Sequence, residues 1–328
     1  MKATDIFKDE SFIECLKKET FDEKGNHIKI FNDKGKIIKK NINKVTYIDC
    51  LLYWITNIKG ISIFINLEIL NLSNNQIKEL PEEIGYLKNL KKLNLSNNQI
   101  KRFPYEINKL KNLEVLYLND NQIKKFPKEI GNLKNLKRLY LSNNKIKKLP
   151  KEIGKLKNLK ELFLIHNKIK NLPKEIWKLE NLEILNLSYN QIEEIPKEIC
   201  KLKNLKNLYL IYNQIKKISK RIGKLINLEE LNLNINQLLW LPKEILELNK
   251  LKCICLNKAF KLDDLKQEPE ELFYIFKKLK DKNVLDDYDL EYLEEKVYPI
   301  LTEKIKEKYK TDDFKKIKDN LIFDNFTF

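Results

Sequence analysis

Residues 90–112 read LKKLNLSNNQIKRFPYEINKLKN, and the same 23-residue pattern recurs before and after them. Aligned on one asparagine, the chain gives Asn75, Asn98, Asn121, Asn144, Asn167, Asn190, Asn213 and Asn236, eight positions spaced by 23 without an insertion. A fixed period of this length marks a solenoid with one coil per repeat. Within the unit, Leu93 and Leu95 alternate with polar residues, as a short half-buried strand requires. Ile107, Leu110 and Leu113 step by three, which suits a helical or 3₁₀ turn. One coil is thus a strand, a bend and a return arm. Pro104 shares its column with Pro81, Pro127, Pro150, Pro173, Pro196 and Pro242. Proline fixes φ and lacks an N–H, so this column belongs where the chain leaves the strand. Ser219 is the one departure.

No single coil encloses its own leucines, so coils must stack, with successive strands about 4.8 Å apart in one parallel sheet. At each strand end the backbone turns inward and would strand its amides and carbonyls. An asparagine side chain offers two donors and an acceptor at that point, so the eight asparagines read as a structural ladder rather than as chemistry.

The pattern LxxLxLxxNxIxxLPxEIGxLxNL closely resembles the leucine-rich repeat family, in the 23-residue form found in Ras-associated scaffolds and many bacterial proteins. The resemblance covers about residues 61–256 and implies an α/β solenoid, a horseshoe with a parallel concave sheet that binds other proteins on that face. Its implied role is a protein-protein interaction scaffold of bacterial type.

Outside the repeats, residues 1–60 hold an N-terminal amphipathic helix around Phe12, Ile13 and Leu16, then a ten-residue duplication, FDEKG at 21–25 and FNDKG at 31–35. Acidic-Lys-Gly followed by β-branched residues predicts paired turns in a small β meander, weakly similar to MORN-like modules. From Ile48, the residues Leu51, Leu52, Ile55 and Ile58 follow helical spacing and predict an N-terminal helical cap. At the other end, Leu251, Ile254 and Leu256 keep phase for a terminal strand, but Ala259 stands where asparagine is due. Residues 257–328 are expected to form an acidic helical cap and tail. Pro269 opens one helix, Asp286 or Asp287 starts a second, Pro299 bends or ends it, and Phe314 and Ile317 suggest another. The closing LIFDNFTF is expected to dock on the body, with docking on a partner as the alternative.

Net charge is +17, but only Arg102, Arg138 and Arg221 are arginines among 64 basic residues. Phosphate and base recognition favours the arginine fork, so the lysines read as solvated faces between coils. A basic surface for nucleic acid or an anionic membrane is the alternative, and a secreted effector with these repeats is another. Residues 262–328 carry 13 Lys against 18 Asp or Glu, so the acidic tail is expected to lie against the basic repeats. Five cysteines, Cys15, Cys50, Cys200, Cys253 and Cys255, lack CxxC spacing, which argues against a disulfide framework and for a reducing compartment. With only His27 and His166, neither a metal nor another cofactor is expected. The N-terminus lacks the apolar core of a signal peptide, and no apolar run reaches membrane-spanning length. The expected location is cytoplasmic, with leaderless secretion to a host as the alternative.

There is no GxxxxGK[ST], HExxH or GxSxG, and residues 257–328 contain no cysteine for a ubiquitin-ligase domain, so the chain does not read as an enzyme. Strand alternation instead selects a face for partner binding. Tyr117, Tyr140, Phe163, Ile165, His166, Tyr189, Tyr209, Ile211 and Tyr212 project from it as an apolar, ring-rich patch, tuned by Lys92, Arg138, Glu161 and Glu230.

Overall fold

A computed structural model describes residues 2–309, in two compact units, residues 2–190 and 191–309. Phe314, Ile317 and the LIFDNFTF segment lie outside the described residues.

The first unit opens with helices α1 (Ala3–Ile6) and α2 (Glu10–Lys18). Asp9 caps the second by accepting the Phe12 N–H at 2.9 Å, which places Phe12, Ile13, Cys15 and Leu16 on a buried stripe. Strand β1 (Thr20–Phe21) pairs antiparallel with β2 (Tyr47–Asp49). Between them the duplicated segment folds as two copies of one turn. Asp22 Oδ1 accepts from the Lys24 and Asn26 amides, Asn32 Oδ1 accepts from those of Lys34 and Lys36, and Gly25 and Gly35 take positive φ. Single bridges, Phe21 to His27 and Phe31 to Ile37, replace full meander strands.

Helical spacing misreads residues 48–58. β2 pairs in parallel with β3 (Ile69–Asn71), and the chain then turns through Leu52 and Trp54 at φ 62 and 60. Val45, Ile48, Cys50, Ile55 and Ile58 are all fully buried and stand at the spacing of Leu67, Leu70, Leu72, Ile77 and Leu80. The segment is therefore a coil without its asparagine, and Asn75 of the following coil serves it, donating to Cys50 O at 2.7 Å and accepting the Ile55 N–H at 2.9 Å.

The absence of a disulfide is likewise overturned. Cys15 and Cys50 are bonded, with Cα atoms 5.6 Å apart and a sequence separation of 35, because α2 packs beside the end of β2. Spacing rules do not see such a pair, whose proximity is created by folding alone. Cys200, Cys253 and Cys255 are free.

Strands β4 (Lys92–Asn94), β5 (Val115–Tyr117), β6 (Arg138–Tyr140), β7 (Glu161–Phe163) and β8 (Ile184–Asn186) continue the parallel sheet in unshifted register. The return arms are 3₁₀ turns such as Lys128–Asn132 and Lys151–Lys155, each entered through a proline in extended conformation. Asn98 shows the ladder. Its Nδ2 donates to Leu72 O, Leu95 O and Ser96 O at 2.9, 3.1 and 3.2 Å, and its Oδ1 accepts the Ile77 N–H at 2.9 Å. Asn121, Asn144, Asn167 and Asn190 repeat this set. A second asparagine ladder runs along the outer edge. Asn89, Asn112, Asn135, Asn158 and Asn181 each donate to a carbonyl 24 residues back, at 2.9–3.1 Å.

In the second unit, short β9 (Glu194–Ile195) pairs with β11 (Lys217–Ile218), while β10 (Asn207–Tyr209), β12 (Glu230–Asn232) and β13 (Cys253–Cys255) form the parallel sheet. Asn213 and Asn236 carry the ladder there. Ser219 substitutes for proline by accepting the Arg221 N–H on its own hydroxyl. Helices α3 (Pro269–Asp281), α4 (Asp287–Tyr292) and α5 (Tyr298–Tyr309) form the cap. Pro299 does not end the helix. The helical backbone runs on from α4 through a π-turn over Leu293–Val297 into α5, so the proline is an interior residue whose missing N–H falls just after that widened turn. The edge of β13 is closed by Val284 O, which accepts the Ile254 N–H at 2.8 Å, and by Asp289 Oδ1, which accepts that of Leu256 at 2.6 Å.

Candidate functional site

On β5, β6 and β7 the central leucines, Leu116, Leu139 and Leu162, are fully buried, so the residues beside them point to the other face. The pairing sets Tyr117 opposite Tyr140 and Tyr140 opposite Phe163. Parallel register and strand spacing then force the rings into a stack. Tyr117 and Tyr140 have centroids 4.6 Å apart at 8°, and Tyr140 and Phe163 are 5.0 Å apart at 20°. All three remain half-buried rather than enclosed.

Charged groups fix the stack. The Tyr140 phenol donates to Glu161 Oε2 at 2.5 Å, and Arg138 Nε donates to Glu161 Oε1 at 2.9 Å. Lys92 Nζ stands 5.5 Å above the Tyr117 ring centroid. Burial first, then the hydrogen bond and charge of Glu161, push the Tyr140 phenol well above its ordinary pKa, so it stays a neutral donor. The same carboxylate raises Arg138.

At the strand ends lies the residue before each ladder asparagine, and it always takes the left-handed conformation. Asn74, Asn97, Asp120 and Asn143 do so at φ 54–57, as Asn and Asp readily can. His166 and Tyr189 occupy the same turn at φ 54 and 55, with rings 6.3 Å apart and Tyr189 44% exposed. Bulky residues pay for this conformation with roughly 1 kcal/mol each. Ile165, one position earlier, is half-buried.

In the second unit, the Tyr209 phenol donates to the Glu230 carboxylate, which also accepts from Asn207 Nδ2 at 2.7 Å. Burial, followed by Glu230, pushes Tyr209 up to about 12. Ile211 is half-buried, and Tyr212 is exposed in the left-handed turn at φ 56.

One apolar group that the sequence assigns to a capping helix is exposed instead. Leu51, Leu52 and Trp54 are 43%, 63% and 70% exposed at the turn after β2. Recognising Val45, Ile48 and Cys50 as a coil would have found them.

The lysines that border the sheet engage neighbouring coils. Lys91 pairs with Glu68 and Lys137 with Glu114, both at 2.8 Å, and Lys160 pairs with Glu183 at 3.0 Å. Among the described residues, no helix is long and apolar enough to cross a membrane.

The sequence profile described as "Leucine rich repeat" matches residues 65–123 and 134–192, and that described as "Leucine Rich repeats (2 copies)" matches 111–153 and 180–220. A comparison with curated proteins found no match. Among solved structures, a leucine-rich repeat protein of Leptospira interrogans is 42% identical with a TM-score of 0.65. That alignment covers 67% of this chain and 56% of the Leptospira protein's length. The functional domain of InlJ from Listeria monocytogenes, which includes a cysteine ladder, is 24% identical with a TM-score of 0.59, covering 67% of this chain and 46% of that one. Internalin C2 of Listeria monocytogenes is 23% identical with a TM-score of 0.55, covering 76% and 94% respectively, and like InlJ it supports the fold alone.

Proposed function

The chain belongs to the leucine-rich repeat family, whose members generally serve as interaction scaffolds, and we propose that it captures a partner protein on its sheet face through the Tyr117, Tyr140 and Phe163 stack. The observation that carries this reading is a pre-stacked, half-exposed ring surface, with His166 and Tyr189 held exposed at its rim in a backbone conformation that bulky residues adopt at a cost. Rings already ordered lose little rotamer freedom on binding, which is the chemistry of interface hot spots. Tyr209, Ile211 and Tyr212 give the second unit a ring-bearing face of its own. The repeats supply the surface, and the segments around them serve as end caps.

Capture from source-cell lysate, compared between wild type and Tyr140→Ala, tests the reading. Loss of a central ring is expected to weaken capture by about 30-fold, the effect of a hot spot worth 2 kcal/mol. Unchanged capture by folded Tyr140→Ala and Tyr209→Ala variants would sink it. Binding through the basic surface would instead collapse as salt rises, whereas an apolar contact persists at moderate salt.

A further inference from the structure

At the last strand of the second unit, Cys255 Sγ and one carboxylate oxygen each from Asp286 and Asp289 lie within 4.8 Å of one another. Asp289 is 1% exposed. Its Oδ1 closes the sheet edge through the Leu256 N–H, but its Oδ2 is buried with no hydrogen-bond partner among the described residues. A buried carboxylate with an unpartnered oxygen, set beside a thiol and a second carboxylate, is unfavourable by desolvation and by like charge. Cys253 Sγ stands 3.6 Å from Cys255 Sγ, on the same face of β13.

We propose that Cys255, Asp286 and Asp289, with Cys253 beside them, form a site for a divalent cation of the zinc class. Mixed sulfur and carboxylate donors select such a metal, since calcium and magnesium take oxygen ligands. Tetrahedral zinc with bonds to sulfur of about 2.3 Å separates two thiolates by about 3.8 Å, close to the observed pair. The ion would tie the final strand to the helical cap at the coil where Ala259 replaces the ladder asparagine. Spacing in the sequence hides the site, because the cysteines and the aspartates are joined only by the fold.

The test uses the full chain, stripped with a chelator and handled without oxygen. It is titrated with zinc against a chromophoric competitor and with cobalt for a thiolate-to-metal absorption band. One equivalent of zinc is expected, with a rise in Tm. Cys255→Ser and Asp286→Asn should each weaken binding at least 10-fold, while Cys200→Ser does not. Asn retains a helix-capping oxygen, so Asp286→Asn removes charge with the cap preserved. Failure to take up one equivalent, uptake without the thiolate band, or wild-type affinity in the folded Asp286→Asn and Cys255→Ser variants would each overturn the site.

Discussion

Tyr140 donates its phenolic hydrogen to Glu161, a residue of the next coil, at 2.5 Å. The bond crosses from one strand to its neighbour, so the ring is positioned by stacking on both faces and by a charged acceptor at its edge. Glu161→Gln should bring the Tyr140 phenol back toward the ordinary tyrosine pKa, although burial, the larger cause, keeps it raised. Ultraviolet titration of single-tyrosine difference spectra reads this shift. Tyr140→Phe, which keeps the stack, should cost no more than about 3 kcal/mol in urea unfolding, the upper worth of one hydrogen bond to a charged group.

His166→Asn and Tyr189→Asn should stabilise the fold by roughly 0.5–1 kcal/mol each, because asparagine tolerates the left-handed turn that the wild-type side chains resist. The same variants should lose partner capture. Thermal melting and the capture assay together measure this trade, and destabilisation by either substitution would contradict the strain.

The two asparagine ladders should differ in worth. Asn144→Ala leaves the buried Ile123 N–H without its acceptor, at about 1–3 kcal/mol, and removes one of two asparagine donors from each of the Leu118 and Leu141 carbonyls, which keep Asn121 and Asn167. Asn158→Ala removes an exposed bond to Lys134 O and should cost under about 1 kcal/mol. Denaturant midpoints of the two variants decide the ranking.

Asp9 sets an acid limit on the N-terminal segment. Burial raises its pKa, but hydrogen bonds from Thr56, Phe12 and Asn57 outweigh burial and hold the carboxyl below its ordinary value. A lowered folded pKa contributes stability that is present above the unfolded value of about 3.9 and is lost as pH falls through the folded one. Unfolding free energy should therefore drop below about pH 4 in the wild type, and Asp9→Asn should flatten that drop.

The Cys15–Cys50 bond closes a span of 35 residues, and reduction should cost about 3–4 kcal/mol through the entropy of the unfolded chain. Alkylation of unreduced, unfolded protein should modify three cysteines rather than five. Equal unfolding midpoints for wild type and a Cys15→Ser, Cys50→Ser double variant would remove the bond from the stability of the fold.

A periodic pattern of leucine, asparagine and proline determined by itself the coil, its stacking, the parallel register and the inner ladder, because each coil must bury the same side chains in the same places. It also determined which residues alternate onto the open face. Tertiary structure decided everything that depends on residues meeting across coils or outside the repeat. The outer ladder from Asn89 to Asn181, the Glu161 acceptor for Tyr140 and the Cys15–Cys50 pair all join residues more than 20 positions apart. The coil at Val45–Ile48–Cys50 escaped the pattern because it lacks asparagine, although its apolar spacing is intact. Left-handed backbone at His166 and Tyr189 was hidden for a different reason. The turn geometry is imposed by stacking, and neither residue type announces it.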